Sequence, residues 1–307
     1  MTVSAIILAA GKSTRMKSQR VKVLHEICGR PMLAYVLDAV REVGVGKIAV
    51  VVGHGRGEVM ETFDADADIL WVHQEEQKGT GHAVRVCEAA LAGTEGDVFV
   101  LAGDGPLIRT KTLEALLSQH RQQQAALTLA TSELADPHGY GRIIRGSGDE
   151  VLEIVEHRDA TETQRHICEV NPSYYLFDIA KLFSALAEIK PNNEKGEYYL
   201  TDTVSILRGR GERVAAVNAV PPEDVLSINS RSELALVNGL MQRRIVQVVM
   251  DSGVTVVRPE STWIEFGAKI GQDTVLEPFT WIGSGAKVEP ASHVPAGTVI
   301  GRGGRFK

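Results

Sequence analysis

The chain has 307 residues, of which 44% are hydrophobic and 23% are charged, and its formal net charge is −6. This composition is typical of one large globular domain or two unequal ones. It excludes a strongly basic surface for nucleic acid or anionic membranes. Three widely spaced cysteines, with no signal-like or membrane-length apolar run, predict buried thiols in a cytoplasmic protein.

Short apolar runs alternate with amphipathic segments over the first 130 residues. The predicted strands cover residues 5–9, 48–52, 69–72, 98–102 and 126–130, and the predicted helices cover 31–43, 83–91 and 112–124. This alternation predicts an α/β fold with a mostly parallel sheet and right-handed crossovers. Ligands bind beyond the carboxyl ends of the strands in such sheets.

The middle of the chain, from residue 139 to about 229, has a mixed pattern. Strands are predicted near 151–155, 170–177 and 214–217, and helices over 179–189, 201–208 and 232–249. We interpret this portion as an insertion that covers the carboxyl edge of the sheet.

A six-residue period marks the C-terminal tail. Its apolar positions are Ile264, Ile270, Leu276, Ile282, Val288, Val294 and Ile300, each preceded two positions earlier by a small residue. This period is typical of parallel β-helices, and it resembles the left-handed β-helix, in which three hexads make one coil. Seven hexads predict little more than two coils, a stub that needs a cap.

Residues 8–16 read Leu-Ala-Ala-Gly-Lys-Ser-Thr-Arg-Met, and Lys22 follows six residues later. A strand that runs into a small-residue loop can turn its backbone N–H groups toward phosphate, and Gly11 permits close approach. Arg15 and Lys22 add positive charge. The Walker pattern is incomplete. From spacing alone, a plain strand–turn–helix connection with surface basic residues fits equally well.

Further blocks follow in order: residues 74–83, 102–108, 139–143, 154–157, 169–171, 196–202 and 228–231. Together with the opening motif, they resemble the N-acetylglucosamine-1-phosphate uridylyltransferase family, bifunctional enzymes that make UDP-N-acetylglucosamine for the cell wall. Ordered blocks over this length are far more specific than any single motif.

The resemblance implies a Rossmann-like nucleotidyltransferase domain over 1–229, a linker helix over 230–251 and a short left-handed β-helix over 252–307. It implies transfer from UTP to N-acetylglucosamine 1-phosphate with Mg²⁺ and release of pyrophosphate. Acetylation by these enzymes needs a long β-helix, so we expect no acetyltransferase activity from this chain. The family's trimers need the same element, so an oligomer is possible and a trimer stays open.

The resemblance also implies roles for individual residues. Nucleotide contacts fall on Leu8, Ala9, Ala10, Gly11, Gln74, Gln77, Gly79 and Thr80. Sugar contacts fall on Gly141, Glu156 and Asn171, and catalytic charges fall on Arg15 and Lys22. The metal ligands would be Asp104 and Asn229; a carboxylate at the end of a strand is a hard oxygen ligand that suits Mg²⁺.

The sequence departs from the family pattern at two places. Val21 replaces the usual proline before the motif lysine, and Pro172-Ser173 replaces the usual Thr-Gly after Asn171. The second change lies beside the expected sugar pocket and leaves the sugar open. The alternatives are a related nucleotidyltransferase acting on another sugar 1-phosphate, such as glucose 1-phosphate, or on another pyrimidine nucleotide, a non-catalytic sugar-nucleotide sensor, and a hexapeptide acyltransferase.

Overall fold

A computed structural model of the protein describes residues 2–12, 14–148 and 150–306. The chain divides into two compact units. The first comprises residues 1–23 and 35–227, and the second comprises 24–34 and 228–307. The short segment 24–34 thus groups with the C-terminal part of the chain, although it lies early in the sequence.

The first twelve described strands include the sheet of the first unit and one short hairpin. They are β1 Val3–Leu8, β2 Glu26–Ile27, β3 Arg30–Pro31, β4 Lys47–Val52, β5 Ile69–His73, β6 Asp97–Ala102, β7 Leu127–Glu133, β8 Gly141–Arg145, β9 Val151–Val155, β10 Glu169–Asn171, β11 Tyr174–Asp178 and β12 Val214–Asn218. The α-helices are α1 Met32–Glu42, α2 Arg56–Thr62, α3 Thr80–Arg85, α4 Thr110–Gln123, α5 Glu162–Arg165, α6 Ile179–Leu186, α7 Thr203–Gly209 and α8 Arg231–Asp251.

The main sheet has the order β5-β4-β1-β6-β11-β7-β10-β8-β9 among the described residues, with β12 alongside β7. Strands β5, β4, β1 and β6 pair in parallel, and β12 is parallel to β7. Strand β11 runs antiparallel between β6 and β7. The predicted α/β fold with a mostly parallel sheet is confirmed.

Continuous apolar runs place β1, β4 and β6 at the centre of the core. These strands are buried along almost their whole length, as expected for strands covered on both faces. Their carboxyl ends therefore form a rigid edge from which the following loops emerge, and this edge positions the site described below.

Two sequence-based predictions of local structure need correction, and two elements of the structure were not predicted. The strand predicted over 170–177 is two strands, β10 and β11, because Pro172 lacks a donor and Ser173 takes a left-handed conformation with φ 65°. The helix predicted over 83–91 begins at Thr80 and ends at Arg85. Helix α2 and strand β8 were not predicted: α2 buries only Val59, and β8 begins inside a glycine-rich block.

The second unit contains nine further short strands: β13 Thr255–Val256, β14 Trp263–Ile264, β15 Lys269–Ile270, β16 Val275–Leu276, β17 Trp281–Ile282, β18 Lys287–Val288, β19 His293–Val294, β20 Val299–Ile300 and β21 Arg305–Phe306. They form three parallel three-stranded sheets within the described residues. Ile264, Ile282 and Ile300 stack in register and are buried. The predicted short β-helix is confirmed, with three hexads in each coil.

Two further expectations can be compared with the structure. None of the helices in the described part of the chain combines the length and hydropathy that a membrane span requires. Cys28 and Cys87 are buried free thiols, whereas Cys168 is exposed. The prediction of buried thiols is therefore wrong for Cys168, which immediately precedes the short strand β10.

Candidate functional site

A cleft of about 380 Å³ opens at the carboxyl edge of the first unit's sheet. Its lining comes from strand ends and the loops that follow them, and includes most of the residues singled out from the sequence. The lining residues are Leu8, Ala9, Ala10, Gly11, Lys22, Val23, Gln74, Gln77, Gly79, Thr80, Ala83, Val100, Leu101, Ala102, Asp104, Glu156, Ser173, Tyr175, Glu197, Leu200 and Thr201.

The loops after β1 and β6 leave the sheet side by side. Leu8 and Ala102, the last residues of these strands, lie opposite each other in the parallel ladder. The Gly103 N–H donates to the Leu8 carbonyl at 2.9 Å. Asp104 therefore emerges beside the small-residue loop, as expected for loops that follow adjacent parallel strands.

The small-residue loop over 9–12 has room for a ligand on one side and close packing on the other. Gly11 is exposed, and a Cβ added to it would meet nothing within 4 Å. In contrast, a Cβ added to Gly53, after β4, would lie 2.9 Å from the Ala10 carbonyl oxygen. Gly53 thus allows this close backbone contact, a requirement that the sequence analysis missed.

Lys22 and Asp104 form an ion pair inside the cleft. Their side chains are only 13% and 18% exposed, so this pair is partly shielded from water and from salt. Arg15 is exposed and is not among the described residues that line the cleft. Lys22 and Arg15, which were predicted to act together, are therefore placed differently: Lys22 lines the cleft and Arg15 does not.

The loop after β5 carries the residues expected to read the base. The buried Gln74 amide nitrogen lies 3.0 Å from His82 Nδ1 and 3.4 Å from the Gly79 carbonyl oxygen. The Gln77 amide donates to the Ala10 carbonyl, which joins this loop to the small-residue loop. Hydrogen bonds at both side chains hold the amides in defined positions at the cleft wall.

The block over 196–202 is hydrogen-bonded to the loop after β5 and to the start of α3. The Tyr198 N–H donates to the Lys78 carbonyl, and the Gly81 N–H donates to the Tyr198 carbonyl, both at 2.8 Å. Gly79 has φ 104°, and a Cβ there would lie 2.6 Å from the Tyr198 carbonyl oxygen. Glycine at this position is therefore required both by its conformation and by the space available.

Glu156, which lines the cleft, lies close to Gly141 and Asn171. A Cβ on Gly141 would lie 3.7 Å from both the Asn171 Cβ and Glu156 Oε2. The Thr201 hydroxyl lies 3.5 Å from Glu156 Oε1. Burial, reinforced by the nearby charge of Asp159, raises the pKa of Glu156 above its ordinary value. Of the three predicted sugar contacts, Glu156 alone is among the described lining residues.

Ser173, Tyr175 and Thr201 line the cleft and were not identified as site residues from the sequence. Thr201 lay within a matched block, but Tyr175 lay within an apolar run that indicated only a strand. The presence of a tyrosine in this apolar run could have indicated a polar site, because a buried phenol needs a hydrogen-bond partner.

Asn229 belongs to the second unit and precedes Ser230, the N-cap residue of α8. Its N–H donates to Glu233 Oε2 at 2.7 Å, and the Ser230 hydroxyl accepts from the Glu233 N–H at 3.2 Å. This reciprocal capping holds the start of the helix. The described residues contain no group of three or more His, Cys, Asp or Glu side chains placed to hold a metal ion. A shared site of Asp104 and Asn229 stays a prediction.

Comparisons with known proteins agree with this arrangement. The MobA-like NTP transferase domain matches residues 5–193. The chain is 47% identical over 276 residues to the bifunctional protein GlmU of Brevibacillus brevis, covering 90% of this chain and 59% of that protein. It is also 47% identical over 274 residues to GlmU of Listeria monocytogenes serotype 4a, covering 89% and 60%. The chain thus spans about three fifths of the length of these relatives.

A crystal structure of UDP-glucose pyrophosphorylase complexed with UDP-glucose superposes with a TM-score of 0.64 and 21% identity, covering 80% of this chain and all of that one. At this identity the likeness concerns the fold. It supports the nucleotidyltransferase type of fold predicted from the sequence.

Proposed function

The chain belongs to the MobA-like NTP transferase family, and we propose that it transfers a uridylyl group from UTP to N-acetylglucosamine 1-phosphate with Mg²⁺. The family resemblance predicted from the ordered motifs is confirmed by the GlmU relatives. One observation carries the proposal. A single cleft brings together the small-residue loop, the Lys22–Asp104 pair and the amides of Gln74 and Gln77.

In the proposed reaction, a phosphate oxygen of the sugar 1-phosphate attacks the α-phosphorus of UTP. The new P–O bond forms as the bond to pyrophosphate breaks. No general base is needed, because the attacking phosphate is already ionised at neutral pH. Since both reactants are polyanions, catalysis depends on positioning and on charge neutralisation.

The chain's own groups are suited to this task. The N–H groups of residues 10–12 would face the phosphates, because the N–H of Ala9 donates to the Val51 carbonyl. Lys22 and Arg15 would stabilise charge on the departing pyrophosphate. Arg15 would have to approach the cleft when substrate binds, because in this structure it is exposed and outside the lining.

The residues present fit a divalent cation. The Asp104 carboxylate already binds one cation, the Lys22 ammonium. Carboxylate oxygen is also the ligand that Mg²⁺ prefers. Because the described residues provide no multi-carboxylate cage, phosphate and water oxygens would complete the coordination, with Asn229 as the proposed second protein ligand. When bound, the ion supplies positive charge that draws the two phosphates together.

Gln74 and Gln77 would read the uracil edge. An amide side chain offers both a donor and an acceptor, and the hydrogen bonds of Gln74 to His82 and Gly79 fix its orientation. A cytosine would present the opposite donor–acceptor pattern at positions 3 and 4 of the ring, and leaving one buried polar group unpaired costs about 1–3 kcal/mol. This would favour UTP over CTP.

A substrate panel tests the proposal. Pyrophosphate release is measured with UTP, CTP and dTTP against N-acetylglucosamine 1-phosphate and glucose 1-phosphate, with and without Mg²⁺. We expect the highest kcat/KM for UTP with N-acetylglucosamine 1-phosphate, and no pyrophosphate release without Mg²⁺. A preference for glucose 1-phosphate would assign another sugar, and binding of UTP without turnover would make the protein a sensor.

Two further expectations accompany the proposal. The free cysteines support a reducing compartment such as the cytoplasm. For this polypeptide, lack of acetyl transfer stays a prediction, tested by incubation with acetyl-CoA and glucosamine 1-phosphate. Formation of acetylated product would contradict it.

A further inference from the structure

His82 belongs to α3 and is not among the described residues that line the cleft. It lines a second cavity instead, together with Lys78, Arg85 and Tyr198. Its ring nonetheless reaches a residue of the cleft wall, because His82 Nδ1 lies 3.0 Å from the side-chain nitrogen of Gln74. His82 is therefore placed to act on the cleft through the amide of Gln74.

The direction of the Gln74 amide follows from the chemistry of its two neighbours. The Gly79 carbonyl can only accept a hydrogen bond, so the amide end that lies 3.4 Å from it must be the nitrogen. The same nitrogen faces His82 Nδ1, which must therefore be the acceptor in this contact. The proton of the imidazole ring then lies on its other nitrogen, Nε2.

The amide oxygen of Gln74 is left for a ligand. Gln74 is only 4% exposed and lines the cleft, yet within the described part of the chain its Oε1 takes part in no hydrogen bond. A buried oxygen without a donor is costly, and a bound donor would satisfy it. Uracil carries a hydrogen on N3, whereas cytosine has a lone pair there. An acceptor in this position therefore favours uracil and repels cytosine.

The backbones on both sides of the His82–Gln74 contact are anchored. The Gln74 N–H donates to the Val52 carbonyl at 2.9 Å, which ties this residue to the end of β4. Helix α3 begins at Thr80, whose hydroxyl accepts the Leu200 N–H at 3.1 Å. Because neither backbone is free to shift, the direction of the amide depends on which groups surround its nitrogen.

We propose that His82 is a positioning residue that fixes the direction of the Gln74 amide and thereby sets the preference of the cleft for uracil over cytosine. This inference rests on the proposed function and deepens it. Without an acceptor at His82, the amide can turn over and present its nitrogen to the base, where it donates to N3 of cytosine. Only the longer contact with Gly79 then opposes this rotation. Discrimination between the bases thus depends on a residue outside the cleft lining.

The first test compares His82→Leu with His82→Asn. Leucine offers no acceptor, whereas the side-chain oxygen of asparagine can take the position of Nδ1. For His82→Leu we expect the ratio of kcat/KM for UTP to that for CTP to fall about tenfold or more. His82→Asn should retain most of the wild-type ratio.

Controls separate this effect from a general loss of structure. The exposed His166→Leu, outside the described cleft lining, should leave the nucleotide ratio unchanged. Thermal unfolding shows whether each variant is folded, and His82→Ala, which also lacks an acceptor, replaces the leucine variant if that protein does not fold. A change that merely loosened α3 would lower turnover with both nucleotides and leave their ratio unaltered.

A double-mutant cycle shows whether His82 acts through Gln74. If it does, His82→Leu should add little to the nucleotide ratio of Gln74→Ala. An unchanged ratio in folded His82→Leu would overturn the inference, as would an equal fall in His82→Asn or full additivity with Gln74→Ala. A wild-type protein that uses UTP and CTP equally well would also overturn it while leaving the transferase activity intact. Absence of wild-type turnover with every pair of substrates would instead overturn the proposed function itself.

Discussion

The Lys22 ammonium contacts Oδ2 of Asp104 within the cleft, where both side chains are largely shielded from water. Lys22 therefore occupies the carboxylate at which we propose that a divalent cation binds. A carboxylate oxygen held by an ammonium cannot serve a metal at full strength, so the two cations compete. We expect the lysine to move to the phosphates when a metal–nucleotide complex enters.

Replacing the lysine tests this competition without relying on catalysis. In Lys22→Met, Mn²⁺ should bind the nucleotide-free protein more tightly than it binds the wild type, because the competing ammonium is gone. Turnover should nonetheless fall about 100-fold or more, because charge on the phosphates is no longer stabilised. Mn²⁺ affinity is measured by electron paramagnetic resonance, with the exposed Lys17→Met as a control. Equal or weaker Mn²⁺ binding by a folded Lys22→Met protein would refute the competition.

Asp104→Asn should remove most of the activity while leaving the fold intact. The substitution keeps the shape but loses the negative charge that attracts both the ammonium and the metal. We expect kcat to fall by about two orders of magnitude or more. Exposed Asp64 provides the matched control, Asp64→Asn. Near-normal turnover in Asp104→Asn would remove this residue from the proposed metal site.

Gln74→Ala should weaken recognition of the base. The variant loses an amide that is already oriented by His82 and Gly79, so kcat/KM for UTP should fall about tenfold or more. The preference for UTP over CTP should shrink with it. The exposed Gln122→Ala, on α4, serves as the control. Steady-state kinetics with both nucleotides would detect the change, and an unaltered preference would exclude Gln74 as the base reader.

Glu156 should make stability depend on pH in a specific direction. Burial, with the charge of Asp159, raises its pKa above the ordinary value of 4.5, so the folded protein favours the protonated form. The resulting stabilisation is present below the unfolded-state pKa and is lost as pH rises through the folded-state pKa. Glu156→Gln cannot ionise, so its Tm relative to wild type should increase as pH is raised above 4.5.

The measurement is a series of Tm values from about pH 4 to about pH 8. The exposed Glu153→Gln, on β9, is the control and should show no such trend. At pH values at which Glu156 is ionised, Glu156→Gln should also bind the sugar phosphate less well, because an ionised carboxylate accepts stronger hydrogen bonds than an amide. A Tm difference that is constant over the whole range would contradict the proposed environment of Glu156.

A matched pair of substitutions tests the hexad interpretation. Val294 is fully buried in the β-helix core, whereas Val299 is 63% exposed. Val294→Ala should lower the free energy of unfolding by about 1–3 kcal/mol, because it removes buried methyl groups and leaves a cavity. Val299→Ala should change it by less than about 0.5 kcal/mol. Urea unfolding compares the two, and equal effects would count against an inward-facing hexad position.

Local pattern was enough to predict several elements of the fold. The apolar runs at β1, β4 and β6 each predict a strand that is buried on both faces. The six-residue period predicts one inward-facing side chain in every hexad. Such patterns depend on neighbours in the chain, so one sequence suffices to read them. The ordered motifs likewise identified Asp104, Gln74 and Glu156, which the structure brings to one cleft.

The tertiary structure decided which side chains of the segment 171–175 face that cleft. From the sequence, Asn171 was expected to contact the sugar, and this contact stays a prediction. In the structure its amide donates to the Tyr175 hydroxyl, and Ser173 is among the residues that line the cleft. The tertiary structure also decided that the Tyr198 backbone packs against Gly79. It likewise decided that residues 24–34 group with the C-terminal unit. These features arise from contacts between segments far apart in the chain, and packing geometry, which has no periodic signature in sequence, determines them.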